Sequence, residues 1–455
     1  MDKKVEFSNH DLKKLIGPLI IEQALAISVG MIDTIMVSSL GEAAVSGVSL
    51  VDMINVLLIN IFAALATGGA VVASQFIGAR DLEKARRSAN QLLTVTFTIS
   101  LIIMTIALFL RSRLLLLLFG TIEDDVMKNA MTYFFITGLA YPFIAIYNSC
   151  AALFRAMGNS RVSMATSMVV NMVNIAGNAF CLFILRMGVE GVAIPTLVSQ
   201  ATGSAIMLVL ISNPHRVIYI RRKGFKPDFN IIRRILFIGI PSGLENSIFQ
   251  LGRLLVVSII AYFGTVQIAA NAVANNLDSL GCIPGQAMSL AMITVIGQCV
   301  GARDYKQARY YTKKLIKIAY AVTAGMNAII LISMPLILRI YNLSDETLRL
   351  AAILVLIHNG CAILLWPSSF TLPNALRAAN DVKYTMFVSI GSMFLFRVVF
   401  SYILGIGLGW GAIGVWVSMV MDWISRFCFF VFRFRSGKWE TKYIPVSSDN
   451  VELSA

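Results

Sequence analysis

The residue with the most evident chemical potential is Asp33, which lies in the middle of a long apolar run, GMIDTIMV. A carboxylate near the centre of a bilayer costs roughly 2.5–3.5 kcal/mol on insertion scales, so one that persists there faces protein or water. Glu22 lies three helical turns earlier, which places both acids on one face about 16 Å apart. We expect the first helix to carry an acidic stripe. The alternative for Glu22 is an interfacial carboxylate near the cytoplasmic end.

Three amides further along the chain could complete a site around Asp33. Asn171, Asn174 and Asn178 recur at spacings of three and four, hence on one helix face. Thr196 supplies a hydroxyl beside Pro195, which frees a backbone carbonyl. We predict a cation site made by the residues Asp33, Asn174, Asn178 and Thr196. Na⁺ suits such oxygens, the carboxylate could instead take a proton, and the amides could simply hold helices together.

A second set of charges lies in the other half of the chain. Glu245 and Arg253 are eight residues apart and fall roughly on one side of a helix. Glu245 is therefore either paired with Arg253 or free as a cavity anion. Asp422 and Arg426 have the i,i+4 spacing of a pair that neutralises itself and holds helices together.

The chain as a whole has the composition of a membrane protein. Of its 455 residues 57% are hydrophobic and only 14% are charged, whereas soluble domains have roughly 25% charged residues. Twelve apolar segments recur at about residues 15–38, 51–75, 90–110, 131–151, 163–185, 191–212, 235–262, 268–297, 316–338, 349–372, 384–408 and 411–432. This pattern predicts an all-α integral membrane protein with twelve transmembrane helices.

The net charge of +14 is distributed as expected for lipid contact and not for nucleic acid. With the N-terminus in the cytoplasm, the cytoplasmic side receives 29 of the 38 Lys and Arg residues. This asymmetry predicts a multi-pass protein of the plasma (inner) membrane with both termini cytoplasmic, its basic loops facing anionic headgroups. The six cysteines fall in or beside apolar runs without metal-type spacing, so we expect no disulfides.

An internal repeat divides the chain. QFIGARDLEKARR begins at Gln75 and QCVGARDYKQARY begins 223 residues later at Gln298; the same offset relates Glu22 to Glu245. We predict an N-lobe at 1–213 with helices 1–6, a basic linker at 214–234, a C-lobe at 235–435 with helices 7–12, and a cytoplasmic tail at 436–455. Six helices per lobe make the copies parallel, related by a pseudo-twofold axis along the membrane normal around a central cavity.

The repeat does not extend to the predicted cation site. The positions that match Asp33, Asn174, Asn178 and Thr196 in the second half are Val256, Phe396, Phe400 and Met419. The site is therefore expected in the N-lobe alone. Glu22, Glu245, Arg253 and Asn171 remain candidates for the substrate cavity or for secondary charges.

No enzyme signature is present. The chain has neither a phosphate-binding G-x-x-x-x-G-K-[ST] loop nor an H-E-x-x-H motif, and we expect no cofactor beyond a coupling ion. His358 is expected to be a helix-packing histidine.

Three segments resemble the MATE (multidrug and toxic compound extrusion) transporters. They are PLIIEQALAISVGMIDTIMVSSLG, ALATGGAVVASQFIGARD at the end of helix 2, and its counterpart SLAMITVIGQCVGARD at the end of helix 8. The resemblance implies a V-shaped twelve-helix fold that exports organic cations and other amphipathic compounds in exchange for Na⁺ or H⁺.

Residue by residue, the resemblance also implies a site. Asp33, Asn174, Asn178 and Thr196 match the N-lobe cation site of the family, and Glu245 matches an acidic helix-7 position that some members use for cation binding. Some bacterial members carry an aspartate where Asn178 stands, which leaves Asp33 here as the sole carboxylate of the site. The acidic helix-10 partner has no counterpart around Trp366 and Pro367, so a C-lobe site is expected to be incomplete.

We therefore predict a monomeric, cation-coupled antiporter for small organic substrates. The alternative is a flippase for lipid-linked oligosaccharides, of related architecture, which needs several cations in its cavity for pyrophosphate. The cations within the predicted spans are Arg253, Arg397 and Arg426. A receptor or anchor without transport is the second alternative.

Overall fold

The computed structural model describes residues 7–120, 123–220, 227–339, 341 and 343–443. Lys3 and Lys4, part of the basic linker and most of the predicted tail lie outside these residues. Throughout the described part the regular structure is helical.

The two halves of the chain have the same order of helices. The first half consists of α1 (Asn9–Ser38), α2 (Glu42–Gly78), α3 (Leu82–Phe119), α4 (Asp124–Gly138), α5 (Tyr141–Ala156), α6 (Ser160–Ala179) and α7 (Glu190–Ile211). The second consists of α8 (Phe229–Ala261), α9 (Thr265–Gly301), α10 (Tyr305–Leu338), α11 (Asp345–Trp366), α12 (Leu372–Ala378), α13 (Val382–Ser392) and α14 (Gly411–Arg435). A short 3₁₀ turn, Lys438–Thr441, follows α14. Helix α8 begins at Phe229, inside the range that the sequence assigns to the linker.

The predicted twelve spans are confirmed. Eleven helical segments of the described chain are long and apolar enough to cross a membrane, and α4 with α5 forms a twelfth, bent by 46°. The bend comes directly before Pro142, at the start of α5. Proline has no N–H to donate and its ring clashes with the carbonyl four residues earlier, so a straight helix cannot continue there.

Stretches of π-helix explain why the two copies differ by one residue. Arg155 and Arg377 are 222 residues apart, whereas Gly188 and Gly411 are 223 apart. Between these markers the first half has one π segment, Phe180–Ile184, and the second has two, Met393–Val399 and Ser401–Gly407. A π turn accommodates an additional residue without ending the helix, so the helix absorbs the insertion.

The buried apolar clusters show how the lobes are joined. One cluster unites Leu15 and Leu19 of α1 with helices of the second half and with Trp439 near the C-terminus. A second unites α2, α3, α5 and α7 with Ile235 of α8. The other two clusters each belong to a single half, one within residues 256–423 and one within residues 37–197. The halves therefore share cores at the end that carries the chain termini and have separate cores at the other end, as in a V.

The repeated G-A-R-D sequence forms the same turn in both halves. Arg80 and Arg303 have positive φ values of 60° and 58° and reverse the chain after α2 and α9. The side chains of Asp81 and Asp304 then accept hydrogen bonds from the backbone N–H groups of Lys84 and Gln307, both at 3.0 Å. These contacts satisfy orphan donors at the start of α3 and α10.

The glycines of the repeat lie where the two copies touch each other. A Cβ atom on Gly78 would lie 1.9 Å from the backbone oxygen of Gln298, and one on Gly301 would lie 1.9 Å from that of Gln75. Gln75 Nε2 donates to the Ala378 carbonyl, and Gln298 Nε2 donates to the Ala156 carbonyl, both at 2.9 Å. Each motif therefore contacts the opposite half at the joined end of the V.

We expect Gly301→Ala to destabilise the contact between the lobes. The new methyl group would meet a backbone oxygen of α2, which cannot rotate away, and overpacking of this kind costs about 1–3 kcal/mol or more. The melting temperature of the detergent-solubilised protein measures the effect. Gly325→Ala in α10 is the matched control, because its Cβ would have no atom within 4 Å. Equal melting temperatures for the two variants would refute the assigned contact.

Candidate cation site and the buried charges around it

Asp33 faces the interior of the N-lobe. Its Oδ1 accepts a hydrogen bond from Asn178 Nδ2 on α6 at 2.8 Å. Within the described chain no basic side chain lies within 4.0 Å of Asp33. The carboxylate is therefore held by an amide and keeps its negative charge uncompensated.

The other three residues of the predicted site join Asp33 through a chain of hydrogen bonds. Asn178 Nδ2 also lies 3.4 Å from Asn174 Oδ1, and Asn174 Nδ2 donates to Thr196 Oγ1 at 3.1 Å. Asn178 Oδ1 is buried and accepts no hydrogen bond from the described residues. Asn171, on the same helix, also has a buried Nδ2 without a partner there. A buried oxygen without a donor is a ready ligand for a hard cation.

Asp52 is an acidic residue of this region that the sequence reasoning missed. Its Oδ1 accepts from Tyr133 Oη at 3.2 Å and from Asn55 Nδ2 at 3.3 Å, while Tyr141 Oη donates to Asn55 Oδ1 at 2.7 Å. It lies close enough to Asp33 for the two charges to interact. In the sequence, Asp52 lies at the start of a predicted apolar segment, whereas α2 begins ten residues earlier at Glu42. The acidic sequence VDMIN is the signal that could have identified it.

Glu22 shares the face of α1 that carries Asp33 but has a different environment. Its Oε1 lies 3.3 Å from Arg155 Nη1, and its Oε2 accepts from Ser163 Oγ at 2.7 Å. Ser163 and Asn178 both belong to α6, so the two acids do lie on one stripe. Glu22 is neutralised by a buried partner.

Glu245 is paired, and its partner is not Arg253. Arg377 Nη2 donates to Glu245 Oε1 at 2.6 Å, and Arg377 Nη1 donates to Asn374 Oδ1 at 2.8 Å. The prediction considered only partners on the same helix, whereas Arg377 lies on α12. The signal was available in the repeat, because Glu245 and Arg377 are the counterparts of Glu22 and Arg155. Both lobes therefore contain the same buried ion pair.

Two further groups of charged residues lie in the C-lobe. Arg426 Nε donates to Asp422 Oδ1 at 2.8 Å, the i,i+4 pair expected from the sequence. His358 Nε2 lies 2.5 Å from Asp278 Oδ1, and its ring packs edge-on to Trp423 with centroids 4.7 Å apart. The histidine is thus a satisfied packing residue, but its acidic partner on α9 went unnoticed in the sequence.

A third side chain joins the histidine and its acid. Cys282 Sγ donates to Asp278 Oδ1 at 3.2 Å, and the ligand atoms of Asp278, Cys282 and His358 lie within 4.8 Å of one another. These three groups satisfy each other by hydrogen bonding.

The Glu245–Arg377 pair generates a stability prediction. Glu245 is 6% exposed, and breaking a buried pair leaves an uncompensated charge, which costs about 3–5 kcal/mol. We expect Glu245→Gln and Arg377→Gln each to lower the melting temperature markedly, and the double variant to lose less than their sum.

Glu83→Gln is the matched control for the same measurement. Glu83 pairs with Arg87 at 2.7 Å on an exposed helix face, with side chains about 60% accessible, and such pairs contribute about 0–1 kcal/mol. Additive losses in the double variant would contradict the pairing.

Comparison with known proteins places this architecture in a family. The MatE family model matches the chain twice, at residues 18–180 and 241–403. The transporter YisQ of Bacillus subtilis, which is uncharacterised, is 28% identical over 97% of both chains. A probable multidrug resistance protein, NorM, of Thermotoga maritima is 26% identical over 95% of this chain and 94% of its own.

A solved structure has the same fold. It is described as the outward-facing conformation of a multidrug resistance MATE family transporter of the MOP superfamily. It superposes with a TM-score of 0.87 at 21% identity and covers 94% of this chain and 96% of its own. These comparisons do not favour the flippase alternative. The chain belongs to the MatE family, whose members are multi-span membrane transporters and not enzymes.

Proposed function

We propose that this transporter is an antiporter that couples entry of Na⁺ or H⁺ to export of amphipathic, often cationic, organic compounds. The observation that carries the proposal is the position of Asp33, a carboxylate without a basic partner in the described chain that contacts buried amides within an apolar helix bundle. A charge held there at a cost of roughly 2.5–3.5 kcal/mol indicates a function rather than packing alone.

The residues present fit a small hard cation. The carboxylate of Asp33, the amide oxygens of Asn174 and Asn178 and the hydroxyl of Thr196 are all oxygen ligands, which such cations prefer. The buried, unpartnered Oδ1 of Asn178 is the atom that most clearly lacks a partner. A proton on Asp33 would neutralise the same carboxylate. Either ion therefore removes the uncompensated charge from the N-lobe.

Coupling follows if the ion and the organic substrate stabilise different conformations. The acid lies on α1 and its amide partners on α6, so loading the ion changes how these two helices hold each other. Because the lobes share cores only at the end that carries the termini, they can rock against each other about that end. The ion then favours one orientation of the lobes and the substrate the other.

The substrate class and the cellular setting are parts of the same proposal. The printed name of the Thermotoga maritima relative, probable multidrug resistance protein, supports extending drug export to this chain. The distribution of Lys and Arg supports a plasma-membrane protein with both termini in the cytoplasm.

We expect Asp33→Asn to abolish ion-driven export, because the amide can carry neither a proton nor a full negative charge. The measurement is uptake of a cationic fluorescent dye into inside-out proteoliposomes under an imposed Na⁺ gradient or pH gradient. Asp125→Asn, at an exposed position on α4, is the matched control and should transport as the wild type does. Normal dye transport by Asp33→Asn would falsify the assignment.

We expect Asn178→Leu to weaken binding of the driving ion while preserving the helix packing, since leucine has a similar volume. Loss of one contact to a charged group costs about 1.5–3 kcal/mol, so the ion concentration for half-maximal transport should rise about 10-fold or more. Titration of the driving ion in the same vesicles measures it. An unchanged half-maximal concentration would remove Asn178 from the site.

A further inference from the structure

The C-lobe contains a partly open cavity. It has about 40 Å³ of free space between α8, α9, the Met393–Val399 π segment and α14. Its wall combines cationic, amide and apolar side chains, among them Arg253, Arg397, Asn271, Asn275, Trp416 and Met419.

The two guanidinium groups of this wall lack full partners. Arg253 makes no ion pair within 4.0 Å with any acid of the described residues. Arg397 packs over the Phe249 ring at 5.4 Å, and its Nε is buried without a hydrogen-bond acceptor there. A buried guanidinium with an unpartnered N–H group is stabilised when an anion accepts a hydrogen bond from it.

Two acids lie near these arginines, and each has a partner at its Oδ1 atom, whereas Asp422 Oδ2 has no hydrogen-bond partner among the described residues. Arg397 Nη1 is 3.9 Å from Asp422 Oδ2, beyond hydrogen-bonding distance, while Asp422 Oδ1 accepts from Arg426 at 2.8 Å. The other acid nearby, Asp278, is bound by His358 at 2.5 Å. Three guanidinium groups thus face two carboxylates, and the cavity keeps a positive excess.

One of the two amides in the wall, that of Asn271, is oriented as a hydrogen-bond donor. Asn271 Oδ1 accepts from the indole Nε1 of Trp416 at 3.0 Å. Because an indole nitrogen can only donate, this bond fixes the oxygen of Asn271 on the tryptophan and leaves its N–H groups for other acceptors. The donor set and the charge therefore both select an anionic group.

The repeat shows that the two lobes have opposite polarity at equivalent positions. With the offset of 223 residues, Asp33 and Asp52 of the N-lobe correspond to Val256 and Asn275, and Gly30 corresponds to Arg253. All three C-lobe residues line the cavity. The C-lobe thus has a guanidinium and no carboxylate at these three positions, whereas the N-lobe has two carboxylates and no guanidinium.

We propose that the C-lobe cavity binds the carboxylate of an amphipathic organic substrate, with Arg253 and Arg397 holding the anionic group and the apolar wall holding its hydrophobic part. This inference rests on the proposed export function for its biological meaning. It adds to the proposed substrates compounds that carry a carboxylate, including zwitterions whose cationic end faces the acidic N-lobe.

The test is calorimetric binding of 2-naphthoate to the purified full-length protein in detergent, compared with 2-naphthamide, which has the same rings and no charge. We expect naphthoate to bind at least about 10-fold more tightly than naphthamide. Arg253→Gln should reduce naphthoate affinity to that of the amide, and Arg253→Lys should restore part of it. Arg397→Gln should also reduce the affinity for naphthoate, independently of the Arg253 variants.

Arg339→Gln, at an exposed position at the end of α10, is the matched control and should bind naphthoate as the wild type does. Equal affinities for naphthoate and naphthamide, or undiminished naphthoate binding in both cavity variants, overturn the inference. Because binding is measured without a gradient, failure of dye transport in vesicles would count against the proposed export function and leave this result intact.

Discussion

A single hydrogen bond, from Asn178 to the carboxylate of Asp33, is the interaction on which the candidate site of the N-lobe depends. An anion in an apolar bundle must be stabilised, and here the stabilisation comes from neutral dipoles instead of a cation. The dipoles stabilise the charge without cancelling it, so the site can still gain from an ion. A basic partner would have removed that capacity, as it does for Glu22, three helical turns away on the same helix.

Comparison of the two halves distinguishes charges that stabilise the fold from charges that are candidates for function. The pairs Glu22–Arg155 and Glu245–Arg377 occur at matching places in both lobes, which marks them as part of the framework. The carboxylates Asp33 and Asp52 occur in one lobe, and the guanidinium groups Arg253 and Arg397 of the cavity wall occur in the other. Features that a duplicated fold retains twice serve its stability, whereas those it has allowed to diverge are candidates for recognition.

Much of this arrangement was predictable because helix geometry converts spacing into direction. The spacings of Asn174 and Asn178 predicted one shared face, and the structure indeed aligns both amides toward Asp33. What spacing cannot give is contact between distant segments, which is why Glu245 was considered with Arg253 and not with Arg377. Asp52 and Asp278 lie inside predicted apolar segments and were missed for a related reason, since their partners Tyr133 and His358 come from distant segments.

The close backbone contacts of Gly78 with Gln298 and of Gly301 with Gln75 have a mechanical consequence. Each glycine ends a helix of 37 residues, which at 1.5 Å per residue is a rod of about 55 Å. With the fulcrum at one tip, a tilt of about 10° would sweep the opposite tip through roughly 10 Å. The contacts at these two glycines can thus act as a hinge between the lobes. A small rotation there would open the other end of the protein wide enough for a drug-sized molecule.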